Sequence, residues 1–114
     1  MFYTYNQNNS GGSFVYNDKV CCYVIIEADN AKESNTIAED IGIYFDGCDN
    51  DIDCPCCGDR WYPTDEYDAK EEPRIYSMTP DEYRNDEWGM NWTNPGEVYC
   101  RVYHKNGTVE EFVK

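Results

Sequence analysis

The sequence predicts an α+β fold, in which one main helix packs on a four- to five-stranded, mostly antiparallel sheet. Three observations support this prediction: an apolar run over residues 20–27, helical spacing of small and apolar residues over 31–41, and an Asn-Gly turn signal between two strand-like segments near residue 106. The order strand, helix, strand and hairpin is compatible with a ferredoxin-like or split βαβ arrangement. A chain of 114 residues is expected to form a single domain, residues 1–114.

The first part of the domain, residues 1–45, supplies a β-hairpin, a strand and the helix. Residues 2–6 alternate aromatic and polar side chains, which is typical of a strand. Residues 6–13 are polar and contain glycine, so they predict a loop, after which residues 14–16 resume pairing. Residues 20–27, VCCYVIIE, predict a central strand that is covered on both faces near residues 24–26.

The main helix is predicted from its capping residues as well as its spacing. Asp29 stands at the N-cap position, and Gly42 stands where a C′ glycine ends a helix. The segment between them gives about three turns that cover one face of the sheet. Residues 43–45 then form a short strand or an extended entry into the next region.

The region of residues 64–96 is predicted to be an acidic, aromatic loop region that contains one short helix. Thr79 is a capping residue, Pro80 suits the first helical position, and Glu82 completes a capping box. This helix is expected to run to about Trp88. Residues 97–114 then predict the C-terminal β-hairpin, with strands at 97–104 and 109–113 around the Asn-Gly turn.

A cysteine-rich knuckle occupies residues 46–63. The five residues from Cys54 to Gly58 contain a Cys-Pro-x-Cys-Gly unit, in which two thiolates three positions apart face one ion while Pro55 and Gly58 shape the turn. The sequence therefore predicts an insertion stapled by structural zinc. The predicted metal ligands are Cys48, Cys54, Cys56 and Cys57.

The fourth ligand of this site is open among Cys56, Cys22, Cys100 and His104, because adjacent cysteines rarely face the same ion. A redox-active dithiol and a set of buried reduced thiols are the competing interpretations. A calcium loop is a weaker one. Asp49, Asp51 and Asp53 imitate its start, but cysteine and arginine occupy the positions where such a loop needs glycine and glutamate.

The net charge of −14, from 23 acidic and nine basic residues, has two interpretations: attraction of a basic partner, or simple solubility. Residues 46–87 hold 14 acidic and four basic residues, so most of the charge lies there. Direct nucleic-acid binding is disfavoured because phosphates are bound through Lys and Arg, and a protein with a basic surface fits better. The start of the chain shows no signal-peptide pattern and no segment reaches membrane-spanning length, so a reducing compartment is expected.

Tyr and Trp side chains among these carboxylates predict a partner-binding surface. Arg60 and Trp61 have two interpretations: a clamp that fastens the knuckle to the domain, which we favour, or an anchor for a partner. The residues predicted to contact a partner are Trp61, Tyr62, Asp65, Glu66, Tyr67, Asp68, Glu71 and Glu72.

The inventory for catalysis is poor, so the chain is predicted not to be an enzyme. His104 is the only histidine, and the sequence has no G-x-S-x-G elbow, no phosphate-binding loop and no HExxH motif. A Cys–His pairing cannot be read from spacing alone.

The run GIYFDGCDNDIDCPCCGDRWYP, residues 42–63, together with the opening YNQNNSGGSF, residues 5–14, resembles an uncharacterised family of small acidic proteins of tailed bacteriophages. The resemblance covers roughly the first sixty residues and brings no catalytic residue with it. It implies an origin in a phage genome and action in the cytoplasm of an infected bacterium.

These observations together predict a non-catalytic phage accessory protein that binds and modulates or inhibits a bacterial host protein. The target is expected to be a defence or nucleic-acid-acting enzyme, and acidic DNA mimicry is one way to bind it. The alternatives are a sponge for a nucleotide signal and, less favoured, a zinc or thiol enzyme.

Overall fold

The computed structural model describes residues 1–8, 14–85 and 93–114. These residues form an α+β fold built on a four-stranded mixed sheet, which confirms the predicted class. The elements in chain order are strands β1 (Phe2–Asn6) and β2 (Tyr23–Glu27), helix α1 (Ala31–Asp40), a 3₁₀ turn (Glu66–Asp68), helix α2 (Pro80–Arg84), and strands β3 (Val98–Tyr103) and β4 (Val109–Val113).

The strands lie in the sheet in their chain order, β1-β2-β3-β4. β1 pairs antiparallel with β2 and β3 pairs antiparallel with β4, whereas β2 and β3 are parallel neighbours, with Tyr23 opposite Cys100. In a split βαβ unit another strand lies between the two strands that the helix connects. The ferredoxin-like or split arrangement is therefore wrong, because here β2 and β3 are hydrogen-bonded to each other.

The centre of the sheet is covered on both faces, as predicted for residues 24–26. Val24, Ile25 and Ile26 are all 0% exposed. On one face, Val24 and Ile26 join a cluster with residues of β1, α1 and Trp61. On the other face, Ile25 packs in a second cluster with residues of β3 and of the segment around α2. The loop region after α1 contributes Trp61 to the first cluster and Ile75 to the second, so it packs on this two-sided core.

Helix α1 begins one residue later than predicted. Its N-cap is Asn30, whose side-chain oxygen accepts a hydrogen bond from the Glu33 amide at 2.8 Å, and Asp29 instead pairs with Lys105 of the β3–β4 turn. Gly42 follows the helix with φ +104°, so the predicted C′ glycine is confirmed.

The C-terminal elements follow their turn chemistry. The Thr79–Glu82 capping box is present with Pro80 in the first turn, and the predicted extension to Trp88 lies outside the described residues. The hairpin is closed by a hydrogen bond from the His104 amide to the Thr108 carbonyl at 2.8 Å. Residues 14–16 and 43–45 are not strands. In the part of the chain that is described, no helix is long and apolar enough to cross a bilayer.

Candidate functional site

The cysteine turn forms as the sequence predicts. The amides of Cys57 and Gly58 both donate to the carbonyl oxygen of Cys54, at 3.1 and 3.2 Å, so the chain reverses within four residues. Gly58 has φ +86°, a conformation that glycine adopts without strain. This turn places the side chains of residues 54–57 around one point on the surface.

Three of the four predicted metal ligands meet in this turn. The Cys54 thiol is in hydrogen-bonding contact with the thiols of Cys57 and Cys56. The Cys57 thiol first, and then backbone hydrogen bonds of Cys56 and Cys57, lower the pKa of Cys54. Cys56 and Cys57 are exposed, and Cys54 is partly exposed. The turn therefore brings three thiols together at the surface of the domain.

Cys48 lies next to the turn but faces its backbone. Its sulfur lies 3.5 Å from the Cys54 carbonyl oxygen, and its amide donates to an Asp59 carboxylate oxygen at 2.9 Å. Desolvation and the Asp59 carboxylate raise the pKa of Cys48 to about 11. Cys48 is therefore adjacent to the three thiols, while its own thiol stays protonated.

The other candidates for a fourth ligand make separate contacts. The Cys22 sulfur lies 2.8 Å from the Tyr16 hydroxyl, Cys100 is buried in the second core cluster, and His104 contacts Glu27 and Glu110. Within residues 1–8, 14–85 and 93–114, no group of three or more His, Cys, Asp or Glu side chains has an arrangement that could hold a metal ion.

A buried ion pair anchors the turn to the domain. Asp53 accepts hydrogen bonds from the Tyr44 hydroxyl at 2.7 Å and from the Arg60 amide at 2.8 Å, and the Arg60 Nε lies 3.8 Å from its other oxygen. The guanidinium of Arg60 also donates to Gln7 at 3.0 Å. Both carboxylate oxygens of Asp53 are thus used by contacts within the domain, which argues against Asp53 as a calcium ligand.

Two residues that the sequence does not single out fasten the turn. Asn8 donates from its side chain to the carbonyls of Cys57, at 2.9 Å, and Asp59, at 3.2 Å. Gly47 leaves room for Asp53, because a Cβ at this position would lie 1.9 Å from the Asp53 carboxylate. Neither residue stands in a local sequence pattern that predicts its role. The contacts of Asn8 span 49 and 51 residues, and the close approach at Gly47 depends on where the fold places Asp53.

Arg60 and Trp61 act as the clamp that we favoured. Arg60 is 8% and Trp61 is 1% exposed, and Trp61 packs in the core cluster that includes α1. The prediction that Trp61 contacts a partner is therefore wrong, because the core already buries its indole ring.

The acidic loop after the clamp contains a capped turn, and Glu66 of this turn attaches the loop to the domain through two hydrogen bonds. Asp65 caps the 3₁₀ turn with a capping box. The Glu66 carboxylate accepts from the Ala31 amide at 2.7 Å and from the Tyr3 hydroxyl at 3.2 Å, which ties the turn to the start of α1. Glu66, predicted to contact a partner, uses its carboxylate as this tether.

Six of the eight predicted partner residues remain on the surface without such a role in the core. Tyr67 is 95% exposed and Tyr62 is 57% exposed. We call this set the acidic loop surface: Tyr62, Asp65, Tyr67, Asp68, Glu71 and Glu72, all of which are exposed.

Thiol labelling distinguishes the turn cysteines from those of the core. In metal-free folded protein we expect iodoacetamide to modify Cys56 and Cys57 at least about tenfold faster than Cys21 and Cys100, because burial shields the latter and raises their pKa, to about 12 for Cys21. Peptide mass spectrometry measures the rates, and the urea-unfolded chain is the control. Equal rates in the folded protein would contradict this assignment.

The model of the family described as "Domain of unknown function (DUF7296)" matches residues 1–114. No curated protein and no solved structure matches the chain.

Proposed function

The chain belongs to the DUF7296 family of domains of unknown function, and we propose that it is a non-catalytic accessory protein of a tailed bacteriophage. In this proposal it acts in the cytoplasm of the infected bacterium, where it binds and inhibits or modulates a host protein. The target is a defence or nucleic-acid-acting enzyme with a basic surface. The phage origin rests on the resemblance of residues 42–63 and 5–14, and the mode of action rests on the surface described next.

The observation that carries the proposal is a nearly fully exposed tyrosine on a rigid acidic turn. Tyr67 lies in a turn that is capped by Asp65 and tethered to α1 through Glu66, so its backbone is fixed while its ring is almost fully exposed. A backbone that is fixed before binding loses little conformational entropy when a partner covers the residue it carries. Exposed aromatic residues of this kind are frequent hot spots of interfaces.

The charges around Tyr67 define the partner. Asp65, Asp68, Glu71 and Glu72 are exposed on the same loop. A Lys or Arg side chain of a partner fits this chemistry, and the field of a chain with net charge −14 accelerates association with a basic protein. Carboxylates in place of phosphates would let the surface compete with DNA for such a partner.

The test is a pull-down from bacterial lysate at physiological salt, with the wild-type chain and the triple variant Tyr67→Ala, Glu71→Lys, Glu72→Lys as baits. We expect the wild type to retain a basic host protein that the triple variant releases, and the purified pair to bind with a Kd that rises steeply with salt. The variant Glu39→Lys, Asp40→Lys is the control, because it makes the same charge change at the exposed end of α1. Recovery of no partner, or equal recovery by the triple variant, contradicts the proposal.

We also propose that the cysteine turn binds structural zinc. Support comes from the contact of Cys54 with Cys57 and Cys56 and from the turn that orients them. Cys48 is close enough to complete the set if its thiol turns from the Cys54 carbonyl and loses its proton. Zinc would then fasten the cysteine-rich insertion to the base of the acidic loop, in addition to the Arg60–Asp53 pair.

Native mass spectrometry of protein expressed with zinc tests this site. We expect one zinc ion per chain, and we expect Cys54→Ser or Cys57→Ser to lose it and to unfold at a lower urea concentration. Cys100→Ala is the matched control, since it removes a buried thiol outside the turn and should keep the ion. Zinc-free wild-type protein, or zinc that survives Cys54→Ser, would rule out this site.

The nucleotide-sponge alternative is not favoured. It requires Arg60, Arg74, Arg84 and Arg101 to converge on an anion. Arg60, however, is engaged by Asp53 and Gln7, and Arg101 by Glu111 and two backbone carbonyls. Arg74 pairs with Glu72 and lies 3.6 Å from Glu82. The three side chains therefore neutralise different parts of the domain.

A further inference from the structure

Strand β4 has an open edge. The Thr108 carbonyl accepts from the His104 amide at 2.8 Å and the Lys114 amide donates to the Glu97 carbonyl at 3.0 Å, so these residues bond inward to the β3 side. Because bonding alternates along an antiparallel strand, the backbone groups of Val109, Glu111 and Val113 point outward. No backbone group in the described residues bonds to them from that side.

The opposite edge of the sheet is covered. Phe2 of β1 exchanges two backbone hydrogen bonds with Lys70, at 2.7 and 2.9 Å, and the Asn8 amide beyond the strand bonds to the Arg60 carbonyl at 2.8 Å. Long exposed edges are templates for pairing with another chain. Of the two edges, β4 is the one that a second polypeptide can extend.

The β3–β4 hairpin is electrically neutral in a strongly acidic chain. Residues 97–114 contain three acidic and three basic residues, so their net charge is 0 and residues 1–96 carry the whole −14. Glu111 pairs with Arg101 at 2.8 Å and Glu110 contacts His104, so both carboxylates of β4 are already partnered. A second neutral hairpin therefore meets no net repulsion at the edge.

We propose that β4 pairs antiparallel with β4 of a second copy of this chain across a two-fold axis, joining two sheets into one of eight strands. The proposal does not depend on the partner-binding function above. The apolar side chain of Val113, 43% exposed, lies in the segment that would pair.

The register follows from the outward-pointing residues and the charges. A two-fold axis at Glu110 or at Glu111 would set each glutamate directly against its own copy, which is unfavourable. An axis at Phe112 avoids this and sets Glu110 opposite Lys114 of the second copy, twice in each dimer, so that each Lys114 ammonium, which donates to the Thr93 carbonyl at 2.6 Å, also gains a carboxylate neighbour. It also places Glu111 and Val113 as the hydrogen-bonded cross-strand pair, which agrees with their outward backbone groups.

Sedimentation velocity across a concentration series, with enough salt to screen the repulsion between two acidic copies, tests the pairing. We expect a monomer–dimer equilibrium with a Kd of about 10–100 µM, because the interface is small. Glu110→Lys and Lys114→Glu should each weaken the dimer about tenfold by placing like charges opposite each other. The double variant should recover wild-type affinity within about threefold.

A backbone variant tests the edge itself. Val113→Pro removes one outward amide and no inward bond, so it should abolish the dimer while circular dichroism shows an unchanged fold. Val15→Lys is the control, because Val15 is 38% exposed and lies outside the hairpin. Monomer at every concentration, a dimer that survives Val113→Pro, or a double charge variant as weak as the single ones would each overturn the proposal.

Discussion

Replacing Asp53 by alanine is expected to lower the free energy of unfolding by about 3–5 kcal/mol, because it leaves the charge of Arg60 buried without its partner. The Asp53 side chain is 1% exposed and that of Arg60 is 10% exposed. The variant also removes the acceptor of the Tyr44 hydroxyl and of the Arg60 amide. Urea unfolding in the presence of a metal chelator measures the effect without a contribution from metal binding.

Two controls separate the ion pair from the loop that contains it. Asp49→Ala removes an exposed carboxylate of the same loop and should change stability by less than about 0.5 kcal/mol. Gly47→Ala keeps every charge but drives a methyl group into the Asp53 carboxylate, so it should destabilise the chain in the same direction. Equal stability of the Asp53→Ala and Asp49→Ala variants would show that the pair contributes nothing.

The elements that the sequence predicts correctly are those with local signals. The Thr79 capping box, the Gly42 helix end and the hairpin all depend on residues within a few positions of one another. The parallel pairing of β2 with β3 joins Tyr23 to Cys100, across most of the chain, and no local pattern specifies it. Strand order was therefore the part of the fold that sequence reasoning had to leave open.

The candidate site likewise contains features that local sequence patterns predict and features that depend on long-range contacts. Pro55 and Gly58 predict the cysteine turn, because both act on their own backbone. Asp53 could not be told from Asp49 by sequence, since the two are distinguished only by contacts with Tyr44 and Arg60. Asp53 can be identified as the buried member of this acidic run only in the folded chain, where the Arg60 guanidinium and the Tyr44 hydroxyl lie beside it.

The second large effect is expected from Trp61→Ala, which should lower the free energy of unfolding by about 3–5 kcal/mol. Trp61 is 1% exposed and fills space between the sheet and the α1 side of the core, so truncation leaves a cavity that the rigid clamp cannot close. Because Trp61 also joins the cysteine turn to the acidic loop, the loss should loosen both neighbours. Hydrogen exchange of the amides of residues 54–68 measures this loosening beside the urea midpoint.

Two variants make the Trp61 prediction specific. Tyr62→Ala truncates the next residue, which is 57% exposed, and should cost less than about 1 kcal/mol without changing exchange in the loop. Trp61→Phe keeps most of the apolar volume and should lie between the wild type and the alanine variant. If Trp61→Ala unfolds at the same urea concentration as Tyr62→Ala, the indole is not part of the clamp, and the acidic loop must be held by the Glu66 tether and the Phe2–Lys70 bridge alone.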